Sequence, residues 1–331
     1  MQKNTRILVT GATGFVGSYL IRHLVEKGYS VRGLRRASSR MDLLNGVADQ
    51  VEWAEADITD LGALEDAFAD ITHVFHCAAL VSFHPKDVQK MMKINVEGTK
   101  NIVNLCLDFG VQRLIHVSSI AALGRAPNRP HLDETCKWVE SKQNSRYALS
   151  KYGAEMEVQR GVAEGLSAAM VSPSVIVGGG HWNEGMAAFF KKIDQGLLVY
   201  PSGGSGFVDV RDVVRFMVLL MESEESGLRY ILNSENTTHQ AFFGAIAREL
   251  GVKPPPVRIG PFLAEVAWRV EWLKEKILGI PPMATKESAR ASVTYYTYAN
   301  ERSRSVFDFT YRPFEQTIRD TAQRYLAEKG V

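Results

Sequence analysis

A chain of 331 residues that is 45% apolar and 23% charged has the composition of soluble globular proteins, which excludes disordered, fibrous and membrane-embedded classes. At about 150 residues per domain its length allows two domains, or one large one with insertions. The 39 Lys and Arg against 37 Asp and Glu leave a net charge of +2, which is not the electrostatic footprint of a nucleic-acid binder.

Cys77, Cys106 and Cys136 are odd in number, far apart and in no metal-ligand or redox spacing, so neither a disulfide framework nor a metal site is expected. The start, Met1 to Arg6, is polar and passes straight into an apolar run, unlike an export signal. The most apolar stretches, 213–221 and 262–273, fall short of the ~20 residues that cross a bilayer. The expectation is a cytoplasmic protein that neither enters a membrane nor binds nucleic acid.

The first strand is expected at 7–10. The turn after it, Thr10-Gly11-Ala12-Thr13-Gly14-Phe15-Val16-Gly17, leads into a helix with three-to-four apolar spacing over 15–27. At a strand-to-helix junction these glycines have separate uses: Gly11 for the tight turn, Gly14 to let a pyrophosphate reach the helix amides, and Gly17 for close helix–sheet packing. Dinucleotide binding is the reading.

A second strand at 30–34 ends on Arg35-Arg36, where an NAD site carries an acidic residue for the ribose hydroxyls. Guanidinium groups pair with a 2′-phosphate that a carboxylate would repel, so NADP is favoured over NAD. A third strand, 51–55, leads to Asp57-Ile58, with Asp57 placed either to contact the adenine amine or to cap the helix expected at 61–69. A strand at 73–78 and a helix at 88–109 follow, then a strand at 113–118 that ends on Ser118-Ser119.

The helix expected at 147–164 opens with Tyr147-Ala148-Leu149-Ser150-Lys151, which puts a phenol and an ammonium on one helical face. A nearby Lys charge lowers a phenol's pKa, so the pair reads as a tuned acid/base. A strand at 168–171 closes this half. Six strands alternating with helices imply right-handed βαβ units, and hence a doubly wound α/β domain with a parallel sheet.

Beyond Pro173 the rhythm changes to Gly-rich loops, a Pro run at 254–256, and helices at 240–250, 261–278 and 314–327. Residues 1–172 are read as the dinucleotide-binding domain, with 207–222 returning to it. Residues 173–206 and 223–331 are read as a smaller, mostly helical substrate lobe. Trp182, Phe189, Phe190, Trp268 and Trp272 either line a lipophilic pocket or fill that lobe's core.

Together, the GxxGxxG loop, the His76-Cys77-Ala78-Ala79 strand end, Asn95-Val96-Glu97-Gly98-Thr99, the Ser-Ser strand end and the YxxxK pair carry a resemblance. The chain resembles the extended short-chain dehydrogenase/reductase superfamily, the NAD-dependent epimerases/dehydratases, which implies a Rossmann sheet across nearly its whole length. The resemblance implies Tyr147 as proton donor, Lys151 as nicotinamide-ribose ligand and tuner of the phenol, and Ser119 as the hydroxyl that binds a carbonyl. It adds Asn95 as support for a proton relay, and cofactor contacts at Thr13, Phe15, Val16, Ile58, Ala78, Ala79, Pro173 and Val175. It leaves the oligomeric state open and puts the surface of any homodimer on helices 88–109 and 147–164.

Two departures bear on the branch. Nucleotide-sugar enzymes of the superfamily carry an Asn where this chain has Val175, and an Arg where it has Ser205. An amide and a guanidinium are the groups best able to hold a diphosphate, and Arg211 is the one nearby substitute. No Asp-Glu pair follows Ser119, as it does in the dehydratases. Residues 173–178 resemble the dihydroflavonol-reductase and hydroxysteroid-dehydrogenase branch. This implies an NADP-dependent oxidoreductase acting on a small carbonyl compound or alcohol. A sugar epimerase that retains its cofactor is the alternative, and an intact Ser119, Tyr147 and Lys151 argue against a non-catalytic sensor.

Overall fold

The computed structural model describes residues 5–126, 129–279, 282 and 284–329. Seven parallel strands form the main sheet: β1 (Arg6–Thr10), β2 (Ser30–Arg35), β3 (Glu52–Glu55), β4 (His73–His76), β5 (Arg113–Val117), β6 (Ala168–Pro173) and β7 (Arg229–Leu232). Their order is β7-β6-β5-β4-β1-β2-β3. Helices cover both faces, so the central strands read as unbroken apolar runs, with every residue of β6 buried.

One face packs helix Phe15–Glu26 and helix Val210–Glu222 on Ile7, Val9, Phe75 and Ile115. The other packs helices Leu61–Phe68, Gly98–Asp108 and Arg146–Ala163 on Leu8, Val74 and Leu114. From β1 the chain winds outward to β3 and then crosses back to β4, so the order reverses between β1 and β4. Doubly wound sheets bind ligands in the crevice at that reversal.

The lobe is less helical than its sequence suggested. Strands Val175–Val177, Gly204–Asp209 and Glu235–Thr238 make a mixed three-stranded sheet. Phe190, Phe207, Phe242, Phe243 and Phe314 pack with it in a core of their own. Residues 207–209 belong to this small sheet, yet of the expected return to the first domain Val208 as well as helix Val210–Glu222 packs into the main sheet's core. Conversely β7, from the segment read as lobe, pairs with β6 at the main sheet's edge. Tyr230-Ile231-Leu232 is fully buried but too short to show a period in the sequence.

Candidate active site

The turn after β1 is tight. Gly11 has φ +65°, and a Cβ on it would lie 2.7 Å from the Ala78 amide nitrogen after β4, so only glycine fits between the two strand ends. A Cβ on Gly17 would lie 2.1 Å from the Gly11 carbonyl oxygen. What Gly17 allows is therefore close approach of the helix to the turn, and not to the sheet. Exposed Gly14 is the N-cap of helix Phe15–Glu26, and no side chain caps that helix. Its first-turn amides are left pointing at the crevice, a ready anion site.

Thr13, Gly14, Phe15, Arg36, Ser38, Ser39, Arg40 and His181 border a cavity of about 410 Å³. Arg40 is committed to Asp42 and Glu184. Among the described residues the Arg36 guanidinium makes no hydrogen bond or salt bridge, while its backbone amide donates to Ser39 Oγ at 2.9 Å. Arg35 does not line this cavity and instead buries its Nε–H at the strand end. The sequence paired Arg35 with Arg36, and the structure puts Ser38, Ser39 and Arg40 in that supporting place.

The remaining expected contacts divide by environment. Ala79 is exposed at the crevice, and the Ala78 amide donates to Thr10 Oγ1 at 3.2 Å. Asp57 Oδ1 accepts from the Thr59 amide and hydroxyl, and it is Asp60, not Asp57, that caps helix Leu61–Phe68. Ile58 puts its side chain in the core, and its carbonyl accepts from Asn101, which leaves only its amide for a ligand. Val16 packs on the first core, Val175 packs on the lobe core, and Pro173 is buried in β6.

Ser118 and Ser119 take different roles. Buried Ser118 donates to Glu155 Oε1 at 2.5 Å, and Glu155 Oε2 accepts from Arg229 at 2.8 Å. Ser119 N-caps the short 3-10 helix Ile120–Leu123, and its hydroxyl lies close enough to the Tyr147 phenol to lower its pKa. The structure thus brings Ser119 and Tyr147 together at the carboxyl edge of β5.

The electrostatics differ from the sequence expectation. Burial pushes the Tyr147 phenol above its ordinary value, and the nearby Ser119 hydroxyl pulls it only part of the way back. Lys151 lies on the same helix face and donates its Nζ to the Val117 carbonyl at 2.8 Å, and its charge is not among the influences on the phenol. Burial in turn pulls Lys151 down to about 8, against the opposing attraction of Glu155 and Cys77. Asn95, expected to aid a relay, spends its amide on the Leu80 backbone (2.7 and 2.9 Å) and on Ser150 Oγ (2.9 Å). It sits in a π-helical turn, Lys93–Glu97, a bulge often placed at functional sites.

Three residues escaped the sequence reading. Glu155 lies four positions past Lys151 on the same helix face, a spacing that was visible. Its partner Arg229 comes from the unrecognised β7. Phe83 sets its ring 5.8 Å from the Tyr147 ring, edge-on, and remains 37% exposed.

On the lobe side, Arg211 is clamped by Asp209 at 2.6 Å and Asp320 at 2.8 Å, which neutralises its charge. The Ser205 hydroxyl lies near the Tyr298 phenol and draws its pKa down against the larger effect of burial. Trp182, Phe189 and Phe190 pack in the lobe core, whereas Trp268 bonds Glu265 and Trp272 is exposed. The described residues contain no group of side chains able to hold a metal and no helix long and apolar enough to cross a membrane.

The profile of the NAD dependent epimerase/dehydratase family matches residues 7–233. The chain belongs to this family. Within it, the chain lies in the extended short-chain dehydrogenase/reductase branch and is an NAD(P)-dependent oxidoreductase. It is 33% identical over 281 residues to the putative dihydroflavonol 4-reductase of Synechocystis sp., covering 82% of this chain and 79% of that one. It is also 33% identical to cinnamoyl-CoA reductase 1 of Oryza sativa subsp. japonica, covering 75% and 77%. The crystal structure of gox2253 superposes with a TM-score of 0.83 at 33% identity, covering 98% of this chain and 99% of that one. Family members with sugar-nucleotide substrates, such as a UDP-glucose 4-epimerase from Thermotoga maritima (TM-score 0.80, 22% identity, 98% and 100% covered), share the fold.

Proposed function

We propose that this protein is an NADP-dependent carbonyl reductase, with Ser119 and Tyr147 binding the carbonyl oxygen and Tyr147 delivering the proton. The observation that carries this reading is the Ser119–Tyr147 pair at the β5 edge. It offers two hydroxyls to one oxygen, and the phenol keeps its proton through the neutral range. Bound dihydronicotinamide would supply the hydride. The chain's own residues orient the oxygen, stabilise the charge that develops on it and protonate it. Lys151, buried beneath the pair, is the proposed ribose ligand. The homologues named reductases support the same direction.

The residues present fit the cofactor. The Gly11–Gly17 turn brings the helix start close against the strand ends, that helix start offers amides to a pyrophosphate, and Arg36, whose guanidinium has no hydrogen bond or salt bridge among the described residues, borders the adjoining cavity. NADPH is therefore expected to bind more tightly than NADH in a calorimetric titration. Arg36→Ala should remove most of that preference, at a cost of roughly 1–3 kcal/mol for a charge-assisted contact. Equal dissociation constants for the two cofactors in the wild-type protein would refute the NADP assignment.

Arg211 is what weighs against a sugar epimerase. A diphosphate needs fixed cationic or amide donors, and Val175, Ser205 and a twice-paired Arg211 supply none. Each missing partner costs on the order of 1–3 kcal/mol, so two lower affinity roughly a hundredfold or more. Benzaldehyde or a similar apolar carbonyl compound should be reduced with NADPH, as followed by nicotinamide absorbance, and UDP-glucose should not be epimerised. Micromolar binding of UDP would overturn this choice. A cytoplasmic homodimer is the proposed state, paired through helices Gly98–Asp108 and Arg146–Ala163, since Leu149 and Met156 stay exposed on the latter.

A further inference from the structure

Phe83 stands apart from the other aromatic side chains near the crevice because it is neither core nor remote from the chemistry. It reaches the Tyr147 ring at 5.8 Å yet leaves 37% of its surface open, beside Val81 at 61%. An exposed ring against the proton donor, with a second exposed apolar side chain two positions away, is surface that a ligand can cover. The loop that carries it is held at both ends. At its start Asn95 grips the Leu80 backbone. Inside it, Ser82 donates to Asp87 at 2.7 Å, and the His84 amide donates to Ser82 Oγ at 3.0 Å.

Its far end is fastened to the lobe. The Lys86 amide donates to His84 Nδ1 at 3.1 Å, which fixes the imidazole proton on Nε2. That Nε2–H donates to Glu275 Oε1 at 3.1 Å, and Lys86 Nζ donates to the same oxygen at 2.6 Å. Glu275 belongs to helix Pro261–Leu278, about 190 residues away in sequence. One lobe carboxylate thus clasps His84 and Lys86, one and three positions after Phe83.

We propose that Phe83 is the residue that selects the substrate, by packing on an aromatic or bulky apolar group attached to the carbonyl, and that the Glu275 clasp positions it for this. The proposal rests on the reductase reading and deepens it. A small aliphatic aldehyde reaches Ser119 and Tyr147 without touching Phe83, whereas an aromatic one covers the ring. Ring-on-ring packing of this kind is worth up to about tenfold in affinity.

The test measures KM and kcat of the full chain with NADPH on benzaldehyde and on propanal. Phe83→Ala is expected to raise KM for benzaldehyde about tenfold and to leave KM for propanal and both kcat values within about twofold. Phe83→Leu should recover part of the loss. Glu275→Ala should raise the benzaldehyde KM in the same direction, and Glu275→Gln, which keeps an acceptor for His84 and Lys86, should stay near wild type.

Equal effects of Phe83→Ala on the two aldehydes, or none, would overturn the assignment, and a Glu275→Ala variant with the wild-type KM ratio would overturn the clasp. If the wild type reduces neither aldehyde, the reductase reading fails separately. Phe83 is then judged by titrating benzyl alcohol into NADP+-loaded protein. Tenfold weaker binding to Phe83→Ala upholds its role, while equal binding, or none to the wild type, ends it.

Discussion

Tyr147→Phe is expected to lower turnover of a confirmed carbonyl substrate at least 100-fold, the usual loss when a general acid is removed, while NADPH affinity and melting temperature stay close to wild type. The ring contact with Phe83 survives the change, and Ser119 keeps its bond from the Ala121 amide. Little besides the proton is lost. Because burial holds the phenol above its ordinary value of 10, the acid form persists through the neutral range, and loss of kcat/KM from phenol ionisation should begin only above about pH 10. Steady-state kinetics across pH 6 to 11 measures both. A Phe variant within about threefold of wild type would remove Tyr147 from the chemistry.

Much of this site could be read in the sequence because its backbone demands leave a spaced imprint. Gly11 and Gly17 stand where a Cβ would strike another main chain, and a strand ending on Ser118-Ser119 followed by a Tyr-Lys pair at helical spacing is rarely accidental. The parallel sheet was equally visible, since strands buried on both faces read as continuous apolar runs. What stayed hidden depends on tertiary contact. The sequence could not tell that burial would outweigh every other influence on the Tyr147 phenol and raise it, where the Lys151 spacing alone implies a lowering. Arg211 looked available until Asp320, more than a hundred positions on, closed on it. Phe83 carried no periodic signal at all, because a loop residue's importance lies in what it faces.

The buried Lys151 charge makes a second expectation, in stability as much as in catalysis. Lys151 is 2% exposed, and its value falls from 10.5 to about 8 on folding. Between those two values the folded chain has released a proton that the unfolded chain still holds. Stability therefore rises with pH across the window, by about 3 kcal/mol in all. Below pH 8 the full cost of the buried ammonium is present. Lys151→Met removes the titration, keeps a similar volume and leaves Glu155 paired with Arg229.

The melting temperature of wild type relative to Lys151→Met should accordingly climb by several degrees between pH 8 and pH 10.5 and stay level between pH 6 and pH 7.5. Titrating groups outside the cluster that feels the Lys151 charge, namely His76, Cys77, His116 and Glu155, cancel in the comparison. The same substitution should reduce turnover and weaken NADPH, since the ammonium is the proposed ribose ligand. Parallel melting curves over the whole range would show that Lys151 is not held low by burial. Activity lost alongside a rising wild-type advantage would instead mark an ammonium kept, at a cost to the fold, for its work at the cofactor.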